Sequence, residues 1–321
     1  MKRKGFTLIE LLVVIAIIAM LMAILMPALG RVRRLAQRLV CGTNIRGLGT
    51  ATMIYANDND EEYPVAGGRG DAEWVGANEN TPTEAWGSTQ QDIEEPDRDD
   101  VTVAASLYLL IREADVSPKQ FVCTSSDQKV YEGLAEAGDA EPYQDADLTD
   151  LWDFGESPWL HVSYAYHFPY KDGTGRARPA STNNSAGFAF IADKNPWYDD
   201  SNLNLGTPES DAYEMICALF NDGQNPGNNE WDSISRYLIQ VANSATHMRE
   251  GQNVLFNDGH VTFENRPDVG YQSDNIYTWW TNNGQLEEER RIGTEPEDDD
   301  QSIEIGGSED TVLVNDSKIP T

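Results

Sequence analysis

The sequence has few cysteines, few histidines and little positive charge. Its three cysteines, Cys41, Cys123 and Cys217, are an odd number, so at most one disulfide can close within the chain. There is no Cys-x-x-Cys pair, and the four histidines are scattered, which argues against a structural zinc site. Lys and Arg number 23 against 54 Asp and Glu, a formal net charge of −31. Such a surface repels nucleic acid, whose binding needs cations to neutralise phosphates. It suits a solvated extracytoplasmic domain able to attract divalent cations. Also missing are a Gly-x-Ser-x-Gly nucleophile elbow, a phosphate-binding loop, a dinucleotide fingerprint and any internal repeat.

The start of the chain is unlike the rest. Lys2, Arg3 and Lys4 precede Gly5-Phe6-Thr7-Leu8-Ile9-Glu10, and every residue from Leu11 to Leu29 is apolar. As a helix, Phe6 to Leu29 would span about 36 Å, enough to cross a hydrocarbon core of about 30 Å. The three basic residues would hold the N-terminus in the cytoplasm and leave the downstream domain outside. A secretory signal would end in a small-x-small cleavage site before polar sequence, and no such site is present. Glu10 is the exception within this apolar stretch. A carboxylate there costs roughly 2.5–3.5 kcal/mol on insertion scales and so marks function. The alternative is a Glu that snorkels to the membrane edge.

Gly5-Phe6-Thr7-Leu8-Ile9-Glu10 resembles the leader of type IV prepilins and type II secretion pseudopilins. The resemblance implies that a prepilin peptidase cuts after Gly5 and methylates the new amino terminus at Phe6. It also implies that Glu10 neutralises the amino terminus of a neighbouring subunit during assembly. Two buried opposite charges are tolerable as a pair, while either alone is expensive. Pro27 stands where pilins carry a proline that loosens the helix.

Beyond Leu29, Val32, Leu35 and Leu39 recur at helical spacing, with Ile45, Leu48 and Tyr55 as a continuation. Gly42, Gly47 and Gly49 weaken that stripe, and the helix is expected to end near Ala56. Arg31, Arg33, Arg34 and Arg38 could meet lipid headgroups or pair with the acidic head or neighbouring subunits.

The expected fold class is α+β: a long N-terminal helix packed on an antiparallel β-sheet head with long loop insertions. The expected divisions are a leader (1–5), a transmembrane helix (6–29), its amphipathic continuation (30–56), a β-rich head (57–294) and an acidic flexible tail (295–321). Asp100 is a candidate cap for a helix from Val101 to Ala114. Strand signals lie at His161–Tyr166, Gly187–Ile191, Val254–Phe256 and His260–Phe263, with an edge strand at Thr311–Val314. Asp258-Gly259 supplies the positive φ that a hairpin between the third and fourth of these runs requires. Trp152, Trp159, Trp197, Trp231, Trp279 and Trp280 are expected to thicken the core and anchor the insertions.

His247 to Val261 resembles the C-terminal signature of large pilin-like proteins named for a His–nine residues–Asp-Gly pattern, although ten residues separate His247 from Asp258 here. Tyr55-Ala56-Asn57-Asp58-Asn59 and Phe121-Val122-Cys123 resemble further blocks of that group. Because Cys41 and Cys123 lie near these blocks, in a domain expected outside the cytoplasm, a Cys41–Cys123 disulfide with Cys217 as a buried free thiol is one expectation. Three unpaired cysteines are the other. His247, Asp258 and His260 can be read as a metal or catalytic cluster, or as a structural histidine bonded to the hairpin. No cofactor is called for. Calcium is the candidate metal, since major pseudopilins of the resembling family can hold it in a C-terminal loop. The oxygen clusters that could supply it are Asp58, Asp60 and Glu61, and Asp199 and Asp200; neither fits an EF-hand.

Two functional readings follow. In the first, the chain is an assembly subunit whose partners are the prepilin peptidase, other pilin or pseudopilin subunits and inner-membrane lipid, with no nucleic acid and no enzymatic activity. In the second, it is a membrane-anchored binding or enzymatic module that uses the leader only for delivery. Glu10 distinguishes them, because an anchor alone needs no carboxylate in its apolar span.

Overall fold

The computed structural model describes residues 8–66, 73–74, 100–133, 147–155, 157–167, 180–196, 240, 242–278, 280, 290–291 and 309–314. Helix α1 runs without a break from Leu8 to Asp58, through Pro27, and is about 77 Å long at the standard rise. Strands β1 (Glu73–Trp74) and β2 (Asp100–Val101) form a small parallel pair. Helix α2 (Val103–Ala114) follows. The main sheet contains β3 (Tyr164–His167), β4 (Ala189–Asp193), β5 (Gln252–Phe256), β6 (Val261–Glu264) and β7 (Leu313–Val314). Their order is β6-β5-β4-β3-β7, and every neighbouring pair is antiparallel. The α+β architecture expected from the sequence is the one observed.

Several boundaries differ from expectation, each for a local reason. Thr102, not Asp100, caps α2: its hydroxyl accepts from the Ala105 amide at 3.0 Å, while Asp100 is held in β2. Strand β3 begins at Tyr164, not His161. Pro158 opens a short 3₁₀ turn, and the Ser163 amide is already committed to the Phe121 carbonyl at 2.8 Å. In the hairpin, the Gly259 amide closes a turn onto the Phe256 carbonyl and Gly259 alone takes positive φ (83°). That is a type I turn followed by a glycine bulge, which displaces His260 from the strand. The edge strand expected at Thr311–Val314, within the stretch from 295 assigned to a tail, is present as β7 at 313–314, buried at the sheet edge beside β3. The head therefore extends beyond 294.

Alternation along the strands divides the core between the two faces of the sheet. Tyr164, Tyr166, Leu255, Val312 and Val314 face α1 and α2; Ala165, Val254, Phe256 and Leu313 face Ile276 and Tyr277 on the other side. On β4 both Phe190 and Ile191 join the helical face, because the register slips at a bulge between Ala189 and Ile191. Among the described residues the largest fully buried side chains are tyrosines and phenylalanines, not tryptophans, and Trp197, Trp231 and Trp279 fall outside the described residues. Among the described tryptophans, Trp152 lies under the Arg112 guanidinium at 3.5 Å, and the Trp280 indole donates to Asp274 at 2.6 Å. These are anchors at the margin of the core.

Helix α1 lies closely on the sheet at Gly49, where a Cβ would come within 2.5 Å of Leu255 Cδ2. Of the glycines that weaken the helical pattern, Gly42 and Gly49 are where helix and sheet approach, while Gly47 faces Gln120 of the 3₁₀ turn. Below Gln37 the helix leaves the head, and from there to Cys41 only Gln37 and Arg38 reach it. Val32, Leu35 and Leu39, expected to begin the head-facing stripe, are 61%, 57% and 65% exposed. A helical period identifies a face but not its partner.

Because of this packing, Gly49→Ala should destabilise the head by about 1–3 kcal/mol through overpacking, despite alanine's better helix propensity. Gly30→Ala, where nothing lies within 4 Å of the added methyl, should be neutral or stabilising by up to about 1 kcal/mol. Denaturant titration of both variants in micelles checks the contrast. A second prediction concerns the buried pair Asp274 and Asp310, which fastens the segment before β7. Asp274 accepts from the Thr311 amide at 2.9 Å, and Asp310 from the Trp280 amide at 3.1 Å. Burial, and then the charge of Asp310, hold the Asp274 carboxyl well above the usual range. A carboxyl raised in the folded state stabilises below its unfolded pKa of about 4, and that contribution is lost as pH rises through the raised value. Urea midpoints should therefore fall from about pH 5 upward in the wild type, and less so in Asp274→Asn.

Candidate functional site

Two regions carry the residues singled out by the sequence: the free length of α1, and the place where α1 meets the loop before β5. From Leu8 to Leu29 the helix presents large apolar side chains to its surroundings, among them Leu8 (79%), Met26 (71%) and Leu29 (68%). It is long and apolar enough to cross a membrane. Glu10 lies in its first turn, on this exposed length, and Pro27 lies inside the helix. Gly5 and Phe6, and likewise Asp199, Asp200 and Cys217, fall outside the described residues.

At the junction, Cys41 on α1 and Cys123 after the 3₁₀ turn Pro118–Phe121 are joined by a disulfide, with Cα atoms 5.2 Å apart. Hydrogen bonds extend the clamp: Gln37 Nε2 donates to the Thr124 carbonyl at 3.0 Å, and Asn44 Nδ2 to the Val122 carbonyl at 3.1 Å. Arg38 lies over the Phe263 ring at 4.4 Å and pairs with Glu250. Of the two roles open to the arginines, Arg38 takes the one of pairing with the head.

His247 ends a 3₁₀ turn, Ala245–His247, in which Ser244 accepts from the Thr246 amide. Met248 and Arg249 then take left-handed conformations, which turn the chain into β5. The imidazole is buried against the disulfide, with Nε2 3.9 Å from Cys123 Sγ. The same nitrogen lies 3.3 Å from Asp193 Oδ2 and 3.2 Å from Asn253 Nδ2. Asp193 Oδ2 accepts from the Asn253 amide at 2.7 Å and from its side-chain amide at 3.1 Å. Burial, together with the charge of Asp193, raises the Tyr164 hydroxyl pKa far above its ordinary value.

The signature residues thus separate. Asp258 and His260 sit at the exposed hairpin turn and pair with each other. The His260 amide donates to Asp258 at 3.0 Å and is the main cause that lowers that carboxyl's pKa. Gly259 packs toward Met53 of α1. His247 instead works with Asp193, Asn253 and Cys123, so the hairpin does not gather the three into one cluster. Asp193 was missed in the sequence, where an Asp at the end of a buried run carries no signal of a partner 54 residues away. Asp58, Asp60 and Glu61 are exposed at the end of α1, and Glu61 accepts from Asn183 Nδ2 at 2.9 Å. Among the described residues, the group of potential metal ligands that converges is Cys41, Cys123 and His247.

Residues 1–26 match the family described as the prokaryotic N-terminal methylation motif. No curated protein and no solved structure matches the chain. The motif is consistent with a type IV pilin-like or pseudopilin precursor, and the apolar helix is long enough to anchor such a chain in a membrane. The match implies processing by a prepilin peptidase and association with other pilin subunits.

Proposed function

We propose that this chain is a structural subunit of a type II secretion pseudopilus or type IV pilus-like filament, with its N-terminus cytoplasmic and its head extracytoplasmic. The observation that carries this reading is the apolar surface of α1. It extends from Leu8 to Leu39 on a helix that continues without a break into the core of the head. A bare anchor needs only about 20 apolar residues. Here exposed apolar side chains persist past the membrane length at Val32, Leu35, Leu39 and Val40. Helices of neighbouring subunits would cover that surface, and Glu10 would meet the amino terminus of one of them. Calcium belongs to the same proposal as an option, with Asp58, Asp60 and Glu61 as one candidate set of oxygen donors and Asp199 and Asp200 as another, against acidic groups that are simply solvated.

Glu10→Ala tests the assembly step. Insertion should be unharmed, because a costly charge leaves the bilayer. Mass spectrometry should still find methylated Phe6 at the amino terminus. Filament recovery should collapse, since breaking one side of a buried ion pair costs roughly 3–5 kcal/mol, a few hundred-fold or more in association. Glu10→Gln should be impaired less. Wild-type recovery of filaments by processed Glu10→Ala would overturn the pairing and favour a delivered, non-assembling module.

A further inference from the structure

The buried junction between α1 and the sheet holds more ligand chemistry than a disulfide needs. Cys41 Sγ, Cys123 Sγ and His247 Nε2 lie within 4.8 Å of one another, and all three residues are buried. Asp193 adds a carboxylate whose side chain is fully buried, with Oδ2 3.3 Å from His247 Nε2. Its Oδ1 has no hydrogen-bond partner among the described residues, an expensive state for a buried carboxylate oxygen. The Ser125 amide points at Cys123 Sγ at 3.4 Å, a donor that would favour a thiolate there.

We propose that, when the disulfide is reduced, Cys41, Cys123, His247 and Asp193 form a closed binding site for a thiophilic divalent metal ion of the zinc type. Disulfide and metal are then alternative ways of tying α1 to the head at one position. The distances around His247 agree. Around a tetrahedral zinc, a nitrogen and an oxygen ligand stand about 3.3 Å apart, a nitrogen and a sulfur about 3.6 Å, and two sulfurs about 3.8 Å. The Nε2–Oδ2 separation is already 3.3 Å, and Nε2–Sγ of Cys123 is 3.9 Å. Reduction releases the two sulfurs to separate, and the Asp193 carboxylate, which lies beyond the convergent group of Cys41, Cys123 and His247, must close on them to complete the shell.

The step balances. A dithiol gives two electrons and two protons to the disulfide, becomes a cyclic disulfide itself, and leaves two thiols. The metal ion then displaces both thiol protons as it binds two thiolates, a carboxylate and a neutral imidazole. Four protein ligands in a buried site leave no open position, so the site is structural, not catalytic. The outer shell is in place as well, since the backbone and side-chain amides of Asn253 orient the Asp193 carboxylate. Sequence spacing conceals the site because its ligands come from α1, the segment after α2, β4 and the turn before β5. The absence of Cys-x-x-Cys does not exclude it.

The test uses the full chain in detergent micelles, with Cys217→Ser so that only two thiols are present. Each protein is folded oxidised, checked by circular dichroism, reduced anaerobically with dithiothreitol, and titrated with cobalt(II) chloride. The wild-type pair should take up about one equivalent, with sulfur-to-cobalt charge-transfer bands and the intense visible bands of a tetrahedral ion. The oxidised chain should show neither. Asp193→Asn should weaken binding by about 10–100-fold, and His247→Ala should weaken it at least as much. X-ray absorption on the cobalt-loaded wild-type pair needs no further variant and should count two sulfur and two nitrogen or oxygen neighbours. Two free thiols with no cobalt bands would overturn the proposal. So would a shell without sulfur, or affinity unchanged in a folded His247→Ala.

Discussion

The close approach of α1 to the central strands is the constraint on which the rest of the head depends. It requires small residues at the contact, and the helix supplies Gly42 against Asn253 and Val261 and Gly49 against Leu255. With no Cβ at Gly49, Leu255 fills the gap and becomes fully buried. The backbones can then come near enough for Asn44 to reach the Val122 carbonyl and for the hairpin turn to rest against Met53. A larger residue at this contact would move the helix outward and open the core that Tyr164, Tyr166 and Phe190 close.

The same docking divides α1 between two environments. Past Cys41 its buried residues belong to the head; before Gln37 its apolar residues face outward on every side. Between them the disulfide, Gln37, Arg38 and Asn44 fasten the helix to the segment after α2 and to the hairpin. A force along the exposed length is therefore delivered into the head at the covalent link to the segment after α2, which suits a subunit held in place by its helix.

The sequence made some of this legible and concealed the rest for identifiable reasons. The N-terminal run could be read because an apolar stretch of that length, broken by a single carboxylate, matches a membrane span far better than a core helix. The β5–β6 hairpin could be read because Asp258-Gly259 carries its own turn chemistry. The helix stripe was misjudged at Val32, Leu35 and Leu39, since periodicity does not distinguish a head from a lipid or a neighbouring helix. The Thr102 cap was hidden because Asp100 is an equally good capping residue two positions away. The junction of His247 with Asp193 and the Cys41–Cys123 bond could not be derived from spacing, because only the docking of α1 and the loops onto the sheet brings residues 41, 123, 193 and 247 together. The signature histidine drew attention to its hairpin, yet its partners lie mainly on other elements.

The central claim is that one continuous helix is covered by the head only from its middle onward and is apolar on all sides from Leu11 to Leu29. Oxygen accessibility of nitroxide labels placed one at a time along α1, in dilute lipid vesicles, tests it most directly. Labels from position 9 to 29 should be accessible to oxygen on every face. Labels from 41 to 56 should alternate between protected and accessible with a period of about 3.6 residues. A continuous protected stripe through 9–29 would contradict the account, because the head would then cover the surface assigned to lipid and to neighbouring subunits.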